Sequence, residues 1–233
     1  MASTAAIIGS TGLVGNFILL TTLSLDAFKT VYTISRRAPK PESPKLAATV
    51  EADTGKWSSN LSSIAPPPSV VFSALGTTRA AAGGIANQWK IDHEVNIELA
   101  EAARAAGVET FVFVSSGGTR GFGTGSLPYS KMKVGVEDSI KTLAFDQAII
   151  LRPGMILGHR EVPHQGGPLL TGLVRSLSRF GQGWQDKFGQ EAEVIGRAAV
   201  HAATLAAEGK APSKYWILEQ ADIVRLGRDE WKA

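Results

Sequence analysis

Tyr129 and Lys133 stand four residues apart in a segment, residues 129–143, that is predicted to form a helix, so both side chains would lie on one helical face. A tyrosine can donate a proton to the alkoxide formed in a carbonyl reduction when a nearby cation lowers the pKa of its phenol. The Lys133 ammonium would provide that cation and would also reach a nicotinamide ribose. The pair therefore predicts proton transfer in carbonyl reduction or alcohol oxidation, although the same spacing also occurs on helix surfaces without function.

A pair of serines precedes this helix. Ser116 is expected at the end of a strand, where its hydroxyl could hold the substrate carbonyl by a hydrogen bond to the oxygen that Tyr129 protonates. Ser115 is the alternative if the strand register differs by one residue. Lys131 lies two residues from Tyr129, points elsewhere on the helix and is expected to be solvated. The predicted catalytic set is Ser116, Tyr129 and Lys133.

A short apolar run at the start of the chain leads into a Gly-x-x-Gly-x-x-Gly turn. Such a strand-to-helix turn lets the backbone approach a pyrophosphate, and the helix N-terminus then faces the phosphates with free N–H groups. A glycine-rich turn can also be an ordinary connection, so the prediction depends on the motifs in the rest of the chain. The residues expected to contact a dinucleotide here are Gly9, Ser10, Thr11, Gly12, Leu13, Val14 and Gly15.

Two arginines follow the second predicted strand, where dinucleotide folds choose between NAD and NADP. Arg36 and Arg37 offer planar donors for a 2′-phosphate, so NADPH is the predicted cofactor; the alternative is a solvated basic loop. Asp53, just past the third strand, could accept a hydrogen bond from the adenine amino group. It could equally begin an Asx turn, because Thr54 and Gly55 follow it.

The end of the fourth predicted strand adds to the cofactor site. Leu75, Gly76 and Thr77 follow this strand directly. A glycine and a small residue suit close packing of the backbone beside a cofactor, although a glycine after a strand is often only a turn. Tyr129 and Lys133 complete the cofactor contacts predicted from the residues themselves.

The composition limits the kind of protein. The 233 residues are 44% hydrophobic, and 24 basic against 21 acidic residues give a net charge of +3 without a block of like charges, so nucleic acid is not an expected partner. The absence of cysteine excludes disulfides and thiol chemistry, and the four histidines are not spaced as metal ligands. No apolar run of about 18 residues spans a membrane, and no cleavable signal is expected before the first strand.

The apolar periodicity predicts seven strands, at residues 5–8, 31–34, 47–51, 70–74, 110–114, 147–151 and 215–218. It predicts five helices, at residues 13–24, 88–106, 129–143, 169–180 and 194–207, with Gly107 ending the second. This alternation indicates the α/β class. We expect a single Rossmann-like domain over residues 1–233, built on a doubly wound parallel sheet, with residues 155–233 as a small C-terminal elaboration on the substrate side.

Every polar motif above falls at the carboxyl end of a predicted strand, where ligands bind in sheets of this kind. Asn96 lies in the helix before the fifth strand. Its side chain could anchor a water molecule in a proton relay or could bond to a neighbouring backbone carbonyl. The shared location of the motifs predicts one site rather than several.

These motifs resemble those of the atypical or extended short-chain dehydrogenase/reductase superfamily. The resemblance covers nearly the whole chain and is carried by Gly9-x-x-Gly12-x-x-Gly15, Ser116, Tyr129-x-x-x-Lys133 and Arg152-Pro153-Gly154. It implies an NADPH-binding Rossmann domain, a catalytic Tyr/Lys pair, and Pro153 near the nicotinamide. It implies no particular substrate.

Three segments resemble more narrowly a small fungal mitochondrial-protein branch, which is similar to the animal oxidoreductase called Tat-interacting protein. The segments are Ser73-Ala74-Leu75-Gly76-Thr77-Thr78-Arg79, Lys90-Ile91-Asp92 and Leu151-Arg152-Pro153-Gly154. This resemblance implies peripheral attachment to the mitochondrial outer membrane; a cytoplasmic location is the alternative. The N-terminal residues do not look like an amphipathic import signal.

The C-terminal third is expected to set specificity. The predicted helix at residues 169–180 carries an apolar stripe, which could lie on a membrane surface or pack on the protein's own core or on a second subunit of a homodimer. His159 and His164 flank the expected mouth of the site, where they could contact substrate or be solvated.

The sequence thus predicts an NADPH-dependent oxidoreductase that transfers hydride between the nicotinamide and a small carbonyl or alcohol, with Tyr129 handling the proton. Two alternatives use the same features differently. One is an NADPH-binding regulatory protein or sensor with little turnover, and the other is a peripheral mitochondrial-membrane adaptor.

Overall fold

The computed structural model describes residues 3–121, 123–158 and 189–232. Its strands are β1 Ser3–Ile8, β2 Phe28–Ser35, β3 Leu46–Val50, β4 Val70–Ser73, β5 Thr110–Val114, β6 Gln147–Leu151, β7 Met155–Leu157, β8 Gly189–Glu191 and β9 Tyr215–Leu218. Seven of them form one parallel sheet in the order β3-β2-β1-β4-β5-β6-β9, and β7 pairs with β8 in a second, small parallel sheet. From β1 the strands are added outward to β3 on one side; β4 then pairs with the other side of β1, and the later strands are added in the opposite direction. The predicted α/β fold with a doubly wound parallel sheet is therefore confirmed.

The described helices are α1 Leu13–Ser24, α2 Trp57–Ser62, α3 Ile85–Trp89, α4 Val95–Ala105, α5 Pro128–Leu143, α6 Ala192–Ala207 and α7 Gln220–Val224. A π-helical turn, Lys90–Glu94, joins α3 to α4, and a second one, Arg225–Asp229, follows α7. The predicted helix at residues 88–106 therefore exists, but its first half contains this widened turn. Gly107 follows it with a φ of +88°, as expected of a glycine that ends a helix.

The central strands are apolar because helices cover both faces of the sheet. Every residue of β5 is buried, and Ala5 of β1 pairs with Val31 on one side and with Val70 on the other. Such strands lack the alternation of a half-exposed sheet, which is why continuous apolar runs predicted them correctly.

One face of the sheet packs against α1 and α6. Ile18 and Leu19 of α1 and Ile195 of α6 are fully buried there. The two helices approach closely at Gly196, where an added Cβ would lie 2.8 Å from the Cβ of Phe17. A bare backbone at this position therefore sets the distance between α1 and α6.

The other face packs against α2, α4 and α5. Its buried side chains include Trp57 of α2, Leu99 of α4, and Val136 and Ile140 of α5. Because α4 and α5 both return from the carboxyl edge of the sheet, their N-terminal turns lie near the ends of β4 and β5. This packing brings the predicted catalytic helix next to those strand ends.

Four elements were not predicted: α2, β7, β8 and α7. Each has six residues or fewer, too few to show a periodic pattern. The predicted helix at residues 194–207 is α6, whereas the one at residues 169–180 lies outside the described residues, as do His159 and His164. In the described ranges, no helix is long and apolar enough to cross a membrane.

Candidate functional site

The glycine turn between β1 and α1 brings backbone segments closer together than side chains would allow. Gly9 has a φ of +81°, and its carbonyl oxygen accepts a hydrogen bond of 2.9 Å from the N–H of Gly12. A Cβ added to Gly15 would overlap that same oxygen, and one added to Gly9 would lie 2.9 Å from the carbonyl oxygen of Ala74. The motif glycines therefore hold the ends of β1 and β4 against the first turn of α1.

The first turn of α1 presents donors that the described side chains do not use. Gly12 is the N-cap, no side chain caps the helix, and the first turn has no acidic residue. The hydroxyl of Ser10 is fully buried and has no partner among the described residues. An unsatisfied buried hydroxyl costs about 1–3 kcal/mol. A phosphate at this helix N-terminus would satisfy both sets of groups, so the turn fits a dinucleotide.

The predicted arginine pair lies at the carboxyl end of β2, the strand next to β1. Both side chains are exposed, and in the described part of the chain neither guanidinium of Arg36 or Arg37 has a hydrogen bond or an ion pair. The hydroxyl of Ser35 donates to the carbonyl of Arg37 at 2.6 Å and fixes the backbone there. Two cationic side chains are therefore available beside the glycine turn.

Asp53 forms the Asx turn that was one of its two predicted roles. Its carboxylate accepts a hydrogen bond of 2.9 Å from the N–H of Gly55 and caps a short 3₁₀ turn, Thr54–Lys56. The side chain is exposed. Its other predicted role, contact with an adenine, stays a prediction.

The strand end after β4 is held by a buried carboxylate that the sequence reasoning missed. Asp92, in the π-helical turn, is 1% exposed and accepts a 2.7 Å hydrogen bond from the N–H of Thr77. Gln88 donates to the carbonyl of Thr77 and to the same carboxylate, both at 3.3 Å. Two side chains thus fix the backbone predicted to lie beside a cofactor.

Asn96 bonds to backbone carbonyls, which was one of its two predicted roles. Its amide donates to the carbonyl of Ile91 at 3.0 Å and more weakly to that of Leu75 at 3.5 Å. Its oxygen accepts a hydrogen bond of 2.7 Å from the hydroxyl of Ser73. The side chain therefore ties α4 to the end of β4.

Lys133 is buried between the ends of β4 and β5. Its Nζ donates to the carbonyl of Val114 at 3.1 Å and lies 4.8 Å from the centre of the Phe113 ring. A Cβ added to Gly76 would lie 3.9 Å from this Nζ and 3.7 Å from the Oδ1 of Asp92. The ammonium and the carboxylate therefore flank Gly76.

The buried position of Asp92 beside Lys133 affects the pKa of its carboxyl group. Burial raises the pKa of the Asp92 carboxyl, and the opposing effects of the Lys133 charge and of the Thr77 N–H are smaller.

Tyr129 lies above Lys133 in the first turn of α5. Pro128 is the first residue of this helix, as is common at a helix start, and the Tyr129 side chain is 41% exposed. No hydrogen bond of its hydroxyl is found within the described ranges. Lys131 is exposed, which confirms the prediction that it is solvated. The phenol therefore lies at the rim of the site, one helical turn from the buried ammonium.

The two serines differ in what their hydroxyls do. Ser115 is 3% exposed, and its hydroxyl donates to Glu137 at 2.5 Å. Ser116 is only partly buried, and its hydroxyl has a single long contact, 3.5 Å, with the carbonyl of Gly117. Because the hydroxyl of Ser115 is already engaged, Ser116 is the better placed of the two to meet a substrate.

Pro153 lies beside the serines. Its carbonyl accepts a hydrogen bond of 2.7 Å from the N–H of Gly117, and the N–H of Ser115 donates to the carbonyl of Leu151 at 2.8 Å. The ends of β5 and β6 are therefore locked together.

Glu137 is a second buried carboxylate that the sequence reasoning missed. It is fully buried and accepts hydrogen bonds from Arg152, at 3.1 and 2.6 Å, and from the Nε of Arg120 at 3.2 Å. Burial alone would raise the pKa of Glu137, but hydrogen bonds from Arg152 and Ser115 and the arginine charges outweigh it and hold the pKa below its usual value. The carboxylate is therefore ionised at neutral pH.

The sequence held a signal for Glu137 in its spacing, whereas Asp92 entered only through the Lys90-Ile91-Asp92 segment of the family resemblance. Glu137 follows Lys133 by four residues and so shares its helical face. Gln88 lies four residues before Asp92. The other partners of Asp92, Thr77 and Lys133, are 15 and 41 residues away, and only the fold brings them together. In the described part of the chain, no group of three or more histidine, aspartate and glutamate side chains is arranged to hold a metal ion.

Comparisons of the sequence with known proteins identify a family and close relatives. Residues 5–183 match the model of the NAD dependent epimerase/dehydratase family. "Protein FMP52, mitochondrial" of Chaetomium globosum is 64% identical over 227 residues, which cover 97% of each chain. "Protein fmp52-2, mitochondrial" of Aspergillus oryzae is 64% identical over 230 residues, which cover 99% of each chain.

Solved structures share the fold at low sequence identity. A UDP-N-acetylglucosamine 4-epimerase from Methanobrevibacter ruminantium, in complex with UDP-N-acetylmuramic acid, superposes with a TM-score of 0.68 at 16% identity, covering 93% of this chain and 76% of that one. The Bordetella bronchiseptica enzyme WbmF, in complex with NAD⁺, gives a TM-score of 0.67 at 13% identity, covering 94% and 73%. From its family match and its close fungal relatives, the chain belongs to the NAD dependent epimerase/dehydratase family.

Proposed function

We propose that this protein is an NADP-dependent oxidoreductase acting on a small carbonyl or alcohol. The observation that carries the proposal is that the uncapped N-terminus of α1, after the glycine turn, and the buried Lys133, one helical turn from Tyr129, lie at the same edge of the sheet. The family match supports nucleotide binding, and WbmF has been solved with NAD⁺. The choice of reaction and of NADP over NAD is our inference from the residues.

The residues present fit the cofactor. The uncapped N–H groups of the first turn of α1, which Gly9 and Gly15 allow to pack against β1 and β4, and the unpartnered hydroxyl of Ser10 would receive the pyrophosphate. Arg36 and Arg37 would hold a 2′-phosphate, because they are exposed and free of ion pairs in the part of the chain that the structure describes. An acidic side chain at the end of β2, which would favour NAD, is absent there.

The chain's own residues handle the proton. A bound nicotinamide supplies or accepts the hydride. The hydroxyl of Tyr129 would give its proton to the substrate oxygen, and Ser116 would donate a hydrogen bond to the same oxygen. The buried ammonium of Lys133, one helical turn away, would offer a positive charge to the phenolate left behind.

The test is a titration with NADPH and with NADH, monitored by the fluorescence of the five tryptophans. We expect micromolar affinity for NADPH, weaker affinity for NADH, and a loss of about tenfold or more in NADPH affinity when Arg36 and Arg37 are both replaced by alanine. Lys29→Ala, an exposed cation on β2, is the matched control and should bind NADPH as the parent does.

Two results would count against the proposal. Absence of binding to both nucleotides would exclude an enzyme of this kind. Equal NADPH affinity in the double variant and in the parent would exclude the role of the arginines and leave the cofactor choice to other residues.

A regulatory role is the second candidate. It is favoured by Tyr129, whose hydroxyl has no hydrogen bond among the described residues, whereas Lys133 is engaged by the Val114 carbonyl. A sensor would bind NADPH but turn over no carbonyl or alcohol in a substrate screen. Turnover that depends on Tyr129 would exclude it.

We also propose that the protein is attached peripherally to the mitochondrial outer membrane. Support comes from the fungal relatives, which are named as mitochondrial proteins. Fractionation should recover the protein with mitochondria, released by alkaline carbonate and degraded by protease added outside. Recovery with the soluble cytoplasmic fraction would contradict this location. A homodimer stays a prediction, which sedimentation would test.

A further inference from the structure

The Glu137 carboxylate joins α5 and the ends of β5 and β6, which carry the predicted catalytic residues and Pro153. It is fully buried and accepts hydrogen bonds from the hydroxyl of Ser115, from two N–H groups of Arg152 and from one N–H of Arg120. Ser115 lies at the end of β5, Arg152 at the end of β6, and Glu137 itself on α5. All four bonds converge on one side chain at the carboxyl edge of the sheet.

We propose that Glu137 is a positioning residue that fixes Ser116, Pro153 and the Tyr129–Lys133 helix relative to one another. Each of these is adjacent to a residue that Glu137 holds or lies on its own helix: Ser116 follows Ser115, and Pro153 follows Arg152. The effect on turnover rests on the proposed function, whereas the effect on the two strand ends does not.

The arrangement specifies a carboxylate. In the described part of the chain, every hydrogen-bond partner of the Glu137 carboxylate is an O–H or N–H donor, so only a side chain with two accepting oxygens satisfies all of them. A glutamine would turn an NH₂ group toward at least one arginine N–H. It would also remove the negative charge between the Arg120 and Arg152 guanidinium groups, whose other partners, Asp138 and Glu219, are exposed.

Stability alone does not account for this cluster. Buried ion pairs repay their desolvation poorly, and replacing them with apolar residues is often neutral or stabilising. What an apolar side chain cannot do is hold Ser115 and Arg152 at fixed positions. The bonds of Glu137 add to the backbone bonds that already lock β5 to β6 near Pro153.

Glu137→Gln is the test, with Asp138→Asn as the matched control. Asp138 is the next residue on α5; its exposed carboxylate bonds to the guanidinium of Arg120 and, among the described residues, has no bond to Glu137, Ser115 or Arg152. Glu137→Asp keeps the negative charge on a side chain that is shorter by one methylene. It should restore part of the exchange protection and of the turnover that Glu137→Gln loses. Thermal unfolding of all three variants reports the global stability.

Hydrogen exchange measured by mass spectrometry needs neither cofactor nor substrate. In Glu137→Gln, we expect exchange to rise about tenfold or more at Ser115–Gly117 and at Arg152–Gly154, with no change in β2. Asp138→Asn should leave both segments as in the parent. Unchanged exchange at the two segments, or an equal rise in β2 that merely follows the lowered stability, would overturn the proposal.

Turnover supplies a second readout on any carbonyl that the parent reduces. Small displacements of reacting groups cost about 100-fold in rate, so kcat of Glu137→Gln should fall by about that factor while KM and NADPH affinity change less than about threefold. A parallel loss of NADPH affinity would show a general loss of structure and overturn the positioning role. A parent without turnover would contradict the proposed enzyme but leave the exchange result to decide on Glu137.

Discussion

The two side chains that would carry the proton have different environments. Tyr129 is 41% exposed at the rim of the site, whereas Lys133 is 5% exposed and held by the carbonyl of Val114. A phenol at the rim can meet a substrate and exchange its proton with water. A cation held in place one helical turn away would act without rearranging, which is the physical advantage of a preorganised charge.

Removal of the Tyr129 hydroxyl tests this division of roles. Tyr129→Phe should lower kcat by about 100-fold or more, since a positioned acid contributes about that factor, and should leave NADPH affinity within about twofold. Tyr32→Phe, on β2, is the control and should keep full turnover. Turnover retained in Tyr129→Phe would assign the proton transfer to another group.

The glycine turn makes a prediction that involves no charged group. In Gly15→Ala, the new methyl would overlap the carbonyl oxygen of Gly9, which is backbone and cannot move aside as a side chain would. The first turn of α1 must then shift away from β1. We expect NADPH affinity to fall about tenfold or more, measured by tryptophan fluorescence. Affinity equal to that of the parent would show that the phosphates bind elsewhere.

At the scale of elements, the sequence predicted what local patterns can encode. The central strands of the main sheet were recognised because burial on both faces demands continuous apolar runs, as in β5. The helices α5 and α6 show an apolar face over at least three turns, and α1 is apolar around most of its circumference. The short β7 and β8 depend on each other for pairing, so neither has a signal of its own.

The candidate site was predictable only in part, because only some of its residues belong to local sequence motifs. The glycine turn and the Tyr129–Lys133 pair are local motifs, and the structure places them at one edge of the sheet. The carboxylates of Asp92 and Glu137 act on partners from other elements, and such contacts exist only once the sheet order is known. Their burial could not be anticipated, because aspartate and glutamate are rarely buried without a partner.

The α1–α6 contact gives a prediction about an element. In Gly196→Ala, the added methyl would lie 2.8 Å from the Cβ of Phe17 and 2.9 Å from its carbonyl carbon, so the two helices must move apart. We expect the free energy of unfolding to fall by about 1–3 kcal/mol, more than the gain in helix propensity restores. Urea unfolding measures it. Gly125→Ala is the control, because its methyl would have ordinary contacts at 3.8 Å; an unchanged stability of Gly196→Ala would mean that the helices are loosely packed.

At the scale of the whole molecule, the buried carboxylates lie on neighbouring parts of one edge but are stabilised in opposite states. Glu137 is surrounded by donors and arginine charges, which favour its ionised form. Asp92 is dominated by burial, which favours its neutral form in spite of Lys133. The edge therefore carries one carboxylate that supports the fold when charged and one that opposes it when charged.

This opposition predicts the pH dependence of stability. The pKa of Glu137 is lowered from 4.5 by folding, so its contribution is complete above that value and is lost as the pH falls through the lower, folded pKa. The pKa of Asp92 is raised from 3.8, so its contribution is complete below that value and is lost as the pH rises through the higher, folded pKa. Urea unfolding between about pH 3 and pH 7 should therefore show Asp92→Asn gaining stability relative to the parent as the pH rises, and Glu137→Gln losing it. Parallel curves for either variant and the parent would mean that the corresponding carboxyl has the same pKa folded and unfolded, and that its surroundings do not determine its charge.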